Sequence, residues 1–136
     1  MPGRTEENQQ ERGVRIVTAR DAYQLFAPHF ESAAQEKLVV AFLDAGRRVL
    51  QLSTCAGLRG NVNLPVRLVV AEALRVDAAG LLVAHNHPSG DAAPSTQDVA
   101  ATRRLADAAG TLGMAVHDHL IFTPTACLSL RALGLL

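Results

Sequence analysis

The segment Ala84-His-Asn-His-Pro-Ser-Gly-Asp-Ala-Ala-Pro-Ser-Thr-Gln-Asp98 decides how this chain is read. It opens where the short apolar run 80–84 ends. A run that short, bounded by glycine on one side and a Pro/Gly-rich segment on the other, predicts a buried strand. Side chains two apart on a strand share a face, so His85 and His87 project together from its end. Pro88, Gly90 and Pro94 then force a loop. Ser95, three residues before Asp98, is a helix-start pattern. Strand, loop and helix start therefore bring two imidazoles and one carboxylate together.

Two histidines and a carboxylate, with a fourth position open to water, form the ligand set of a catalytic zinc site. Each part alone has a plainer reading. A strand-end histidine is usually a half-exposed side chain, and Ser95 with Asp98 makes an ordinary capping box. Their concentration on one short segment favours the metal reading.

The rest of the composition sets the frame. At 136 residues the chain is long enough for one domain with its own core. Hydrophobic residues make up 49% and charged residues 19%, the balance of a globular chain. Thirteen basic and thirteen acidic residues cancel, so no basic field draws the chain to nucleic acid. No apolar run approaches the roughly 18–20 residues needed to cross a bilayer. Residues 1–12 lack the apolar centre of a secretion signal. Cys55 and Cys127 lack metal-ligand spacing and read as buried, reduced thiols of a cytoplasmic protein.

In chain order, residues 1–13 read as a disordered polar tail and 14–136 as the folded domain. Thr18 with Asp21 predicts a helix start, followed by an apolar stripe of Tyr23, Phe26, Ala27 and Phe30, which Pro28 ends or kinks. His29 reads as a surface residue. The continuous apolar centre of 36–44 predicts a strand covered on both faces, and a turn at 44–47 leads to a second strand over 48–53. A loop is expected over 55–63. Pro65 begins a helix burying Val66, Val69, Val70, Ala73 and Leu74. A long Ala-rich helix over 96–112 is expected to bury Ala101, Leu105, Ala108 and Leu112. A strand over 114–122 carries His117-Asp-His119, and 128–136 closes as a short strand or helix. Strands alternating with helices after an initial hairpin indicate a layered α/β domain with a mixed sheet. Amide hydrolysis at a zinc site also needs a carboxylate to carry a proton. Spacing alone leaves Glu31, Glu36, Asp44, Glu72 and Asp118 open.

His85-x-His87, seven residues, Ser95, two residues and Asp98 resemble the His-x-His-x7-Ser-x2-Asp signature of JAMM metalloproteases, the JAB/MPN+ fold family. His-Asn-His-Pro-Ser-Gly with Pro-Ser-x-x-Asp is similar, more narrowly, to the bacterial RadC-like branch, over about residues 18–136. The resemblance implies a three-layer helix–sheet–helix sandwich with a mixed sheet, an architecture related to that of cytidine deaminases. It implies one zinc ion per chain, held by His85, His87 and Asp98, in a hydrolase acting on a peptide or isopeptide bond through a zinc-activated water. Its catalytic glutamate precedes the first central strand in a pattern similar to Gln35-Glu36-x-Leu/Phe-Val-Val-x-Phe-Leu-Asp44, which selects Glu36. The serine matched by Ser95 steadies the oxyanion, its other reading being a helix cap. The Asp118-His119 pair is expected near the site, either of them orienting a ligand histidine.

The chain departs from the family pattern in two places. A helix-hairpin-helix region associated with DNA contact has no counterpart in these residues. Where family members begin a helix with Pro-Arg-Glu, this chain has Val66-Arg67-Leu68, with Pro65 one place early. A nucleoside deaminase is excluded, because it needs His-x-Glu and Pro-Cys-x-x-Cys. The remaining alternatives are a non-enzymatic or DNA-repair-associated partner-binding module and a metal-dependent nuclease. Expected partners are a peptide or protein substrate and, as an open alternative, a second copy of the chain. Neither autonomous nucleic-acid binding nor membrane association is expected.

Overall fold

The computed structural model describes residues 10–56 and 64–136. Helix α1, Ala19–Phe26, starts where Thr18 Oγ1 accepts from Asp21 N at 3.1 Å and Asp21 Oδ2 accepts from Thr18 N at 3.0 Å. These reciprocal bonds satisfy two orphan amides of the first turn. They also hold the Asp21 carboxyl below its usual range, chiefly through the Thr18 and Val17 amides. Pro28 cannot continue an α ladder, and the chain tightens into a 3-10 turn over Ala27–His29. Ala22, Leu25 and Phe26 face inward, while Tyr23, expected in the stripe, is 48% exposed and stacks on Phe122.

Strand β1, Lys37–Leu43, is buried from its second residue onward. Asp44 Oδ1 accepts from Gly46 N and Arg48 N at 2.9 Å each, closing the turn into β2, Val49–Ala56. Cys55 therefore belongs to a strand, and the rest of the loop expected there (57–63) lies outside the described residues. Helix α2, Val66–Arg75, leads to β3, Gly80–Asn86. Helix α3, Thr96–Thr111, carries the chain to β4, Ala115–Phe122, and β5, Cys127–Ser129, ends the sheet.

The sheet order is β2-β1-β3-β4-β5, with β3 and β4 parallel and the other pairs antiparallel. Alternate residues of each central strand serve two cores. Val39, Ala41, Leu43, Leu82 and Ala84 pack with α1 on one face. Leu38, Val40, Phe42, Leu81 and Val83 pack with Val69 and Ala73 of α2 and Leu105 and Ala109 of α3 on the other. This is the expected helix–sheet–helix sandwich, and burial on both faces explains why β1 and β3 read as unbroken apolar runs.

Two helix faces differ from the expectation. On α3 the buried residues are Thr102, Leu105 and Ala109, while Leu112 is 49% exposed. On α2 they are Val69 and Ala73, and Leu74 turns outward. Alanine and valine spread around a helix define its inward face poorly, so packing against the sheet chooses it.

The chain end also differs. Residues 1–9 lie outside the described residues, but 10–13, read as the last of a disordered tail, are held. Gly13 N donates to Val49 O at 2.8 Å, and Glu11 pairs with His29 Nε2 at 3.0 Å. His29 is correspondingly covered, with a side chain 9% exposed, and is not a surface residue. Among the described residues, no helix is long and apolar enough to cross a membrane. Cys55 and Cys127 are unpaired thiols on opposite edge strands, half-buried rather than fully buried. Burial and the nearby Asp118 charge push Cys127 up to about 11.

Candidate metal centre

Strand β3 ends in His85 and Asn86, and His87 follows directly, its amide donating to Phe122 O at 2.7 Å. His85 and Val83 share the face that packs on α2 and α3. Gly90, at φ +98°, turns the chain back toward α3. At the helix start Ser95 Oγ accepts from Asp98 N, and Asp98 Oδ2 accepts from Ser95 N, both at 2.9 Å. The capping box thus locks the side chain that the metal reading requires.

His85 Nε2 lies 2.9 Å from His87 Nε2, and each is 3.5 Å from an Asp98 carboxylate oxygen. Ligand atoms of His85, His87 and Asp98 all fall within 4.8 Å of one another. The donor set fits a divalent ion on an observation independent of spacing. His87 Nδ1 is 2.8 Å from the Asp91 carbonyl, which can only accept, so Nδ1 carries the hydrogen and Nε2 turns a lone pair toward His85 and Asp98. Burial alone would raise Asp98, but the neighbouring His85 and the bonds from Ser95 outweigh it and hold the carboxyl well below its usual range. An ionised carboxylate and a neutral imidazole are the forms a metal takes.

His117, Asp118 and His119 point to three different places. Leu81 pairs with Val116 and Leu82 with Asp118, so the parallel ladder skips His117. The His117 ring packs against Gly80, where a Cβ would run into the ring. Asp118 ties down the chain beyond β4, accepting from Ser129 Oγ at 2.5 Å and Arg131 N at 3.1 Å. It is spent there and not on a candidate ligand histidine. His119, 2% exposed, stands behind His85, with Nε2 2.6 Å from His85 Nδ1. Its pKa is pushed down to about 3, first by burial and then by the neighbouring His85.

Glu36 lies half-buried immediately before β1. The β1–β3 register ends by pairing Leu38 with His85, two residues after Glu36. Lys37 N donates to Asn86 Oδ1 at 2.7 Å, and Asn86 Nδ2 donates to Gln35 O at 3.1 Å, so one buried amide grips the backbone on both sides of Glu36. Glu31 is exposed on the segment before it; Asp44 and Glu72 serve the β1–β2 turn and an ion pair with Arg75. A cleft of about 380 Å³ runs along residues 32–37, and one of about 130 Å³ lies between residues 30–34 and His87, Pro88 and Phe122. Sequence reasoning missed Asn86 and Thr102. Their only signal was polarity at positions that strand and helix spacing would make interior.

A three-layer α/β domain with a mixed sheet, and a His-His-carboxylate cluster at the meeting of a central strand and a crossover helix, defines a JAB-type sandwich. The chain belongs to the RadC-like JAB domain family, whose model matches residues 16–135. It is 34% identical over 132 residues to a UPF0758 protein of Salinibacter ruber, covering 96% of this chain and 56% of that protein. It is 45% identical over 104 residues to one of Rhodobacter capsulatus, covering 74% of this chain and 48% of the relative. A UPF0758 protein of Chloroflexus aurantiacus is 41% identical over 121 residues, covering 88% and 53%. The chain thus spans about half the length of the curated relatives it matches.

Proposed function

We propose that this domain is a zinc-dependent hydrolase of peptide or isopeptide bonds, with His85, His87 and Asp98 as the metal ligands. The convergence of those three side chains within 4.8 Å carries the reading. A bound zinc ion would supply Lewis acidity and water acidified to a pKa of about 7. His85 and His87 offer imidazole nitrogens, and Asp98 offers a carboxylate stiffened by its helix cap. Glu36, just before β1, takes a proton from the attacking water and returns it to the leaving nitrogen as the C–N bond breaks. Ser95 spends an oxygen lone pair on capping, which leaves its O–H to donate to the carbonyl oxygen as charge develops there. The clefts beside residues 30–37 and His87 give an extended peptide a path past the metal face.

The test is metal content and peptide cleavage on the same preparations. Wild-type protein is expected to hold about one zinc per chain, and His87→Ala and Asp98→Ala to lose it. Glu36→Gln is expected to keep the zinc and lose cleavage of a quenched fluorescent peptide library. Wild-type protein that stays metal-free under zinc titration overturns the hydrolase reading and leaves a partner-binding module.

A further inference from the structure

Two candidate ligands and two groups behind them form a closed ring. Asp98 O accepts from Thr102 Oγ1 at 2.8 Å, one helical turn further along α3. Thr102 Oγ1 is 2.6 Å from His119 Nδ1, and His119 Nε2 is 2.6 Å from His85 Nδ1. His85 Nε2 then returns to the Asp98 carboxylate. Thr102 is fully buried, and His119 and His85 are buried with it.

Hydrogen counting gives the ring a direction. A threonine hydroxyl has one hydrogen, and a backbone carbonyl can only accept, so that hydrogen is spent on Asp98 O. Thr102 Oγ1 must therefore accept from His119, and His119 Nδ1 carries a hydrogen. A second hydrogen on His119 Nε2 would make it a cation, buried, with no carboxylate among its hydrogen-bond partners. His119 Nε2 is instead a lone pair, and His85 Nδ1 is the donor to it. Of the two neutral tautomers of His85, only the one with hydrogen on Nδ1 satisfies the ring, with its Nε2 lone pair turned toward His87 and Asp98.

We propose that Thr102 and His119 are positioning residues that set the tautomer of His85, so that its Nε2 is ready to take a metal ion. The inference rests on the metal reading above and deepens it. Thr102 is the source of the direction. Without its hydroxyl, His119 is free to carry its hydrogen on Nε2, which would turn His85 Nδ1 into an acceptor and put a hydrogen on the nitrogen meant for the metal. The ring also ties the two ligands together, because Asp98 contributes its carboxylate to the centre and its backbone carbonyl to the relay.

Two measurements on the full chain test this. The first is the histidine tautomer state of the metal-free protein by long-range 1H–15N correlation. His85 is expected with hydrogen on Nδ1 and none on Nε2 in wild type and Thr102→Ser, and mixed or reversed in Thr102→Val. The second is zinc affinity by competition with a chromophoric chelator. Thr102→Val is expected to bind about 10- to 100-fold more weakly, with Thr102→Ser restoring wild-type binding. Rescue by serine separates the hydroxyl from any packing loss. A wild-type His85 with hydrogen on Nε2, or a folded Thr102→Val with wild-type tautomer and affinity, overturns the proposal. A wild type that binds no zinc sinks the hydrolase reading instead, and the tautomer spectra still decide the relay.

Discussion

Asn86 sits between the two candidate ligand histidines, and its side chain serves the strand next door. It is 4% exposed, and both halves of its amide are spent on the backbone flanking Glu36. Truncation would leave the part-buried Lys37 N–H and the Gln35 C=O without those partners, a loss of about 0.5–1.5 kcal/mol for each bond. Asn86→Ala is therefore expected to unfold at lower urea concentration while its zinc stoichiometry stays at the wild-type value. Wild-type stability in that variant would show that the bridge contributes nothing. None of this was legible in the motif. A residue between two histidines announces no partner, and Lys37 lies 49 positions away. His85, His87 and Asp98 were legible because an alternating strand end and a helix cap are local patterns.

Helix α3 does two jobs with one cap. Ser95 satisfies the Asp98 amide, and Asp98 satisfies the Ser95 amide while turning its carboxylate to the histidines. Losing an N-cap costs about 1 kcal/mol when alanine replaces serine and only a few tenths when glycine does. Ser95→Ala is thus expected to melt earlier than wild type and Ser95→Gly close to it, whereas both lose peptide cleavage if the hydroxyl donates to the substrate. Cleavage by Ser95→Gly at the wild-type rate would reduce Ser95 to a cap. The start of this helix could be read from Ser-x-x-Asp; its inward face could not. Thr102 takes an interior position that an apolar count assigns to alanine, because its hydroxyl finds both an acceptor and a donor there.

Over the whole molecule, a buried histidine and a half-buried one couple folding to proton uptake. Burial, with Arg47 and Arg131 adding to it, lowers His117, and burial with His85 lowers His119 to about 3. The unfolded chain takes up these protons near the ordinary value of 6.5, and the folded chain only below it. In that window the unfolded state binds more protons, so stability falls as pH drops. Urea unfolding of the metal-free protein is expected to shift to lower midpoints from about pH 7 toward pH 5, with a shallower fall in His117→Gln. A midpoint that stays constant across that range contradicts a neutral His117 and His119 in the fold.

The sequence by itself determined what is encoded within a few residues. It specified the apolar strands, the two capping boxes, the strand–loop–helix order and the grouping of two histidines with a carboxylate. Tertiary structure decided what depends on neighbours distant in the chain. The skipped pairing at His117 re-phases β4, so that Val116 and His119 both meet the α2–α3 face. Simple alternation would put them on opposite faces, since they are three residues apart. Packing also chose which side of the Ala-rich α3 turns inward and which histidine stands behind His85. A strand's period is set by its own backbone, whereas a skipped pair, a helix's rotation and a buried polar bond are set by which partner fills the space across the sheet.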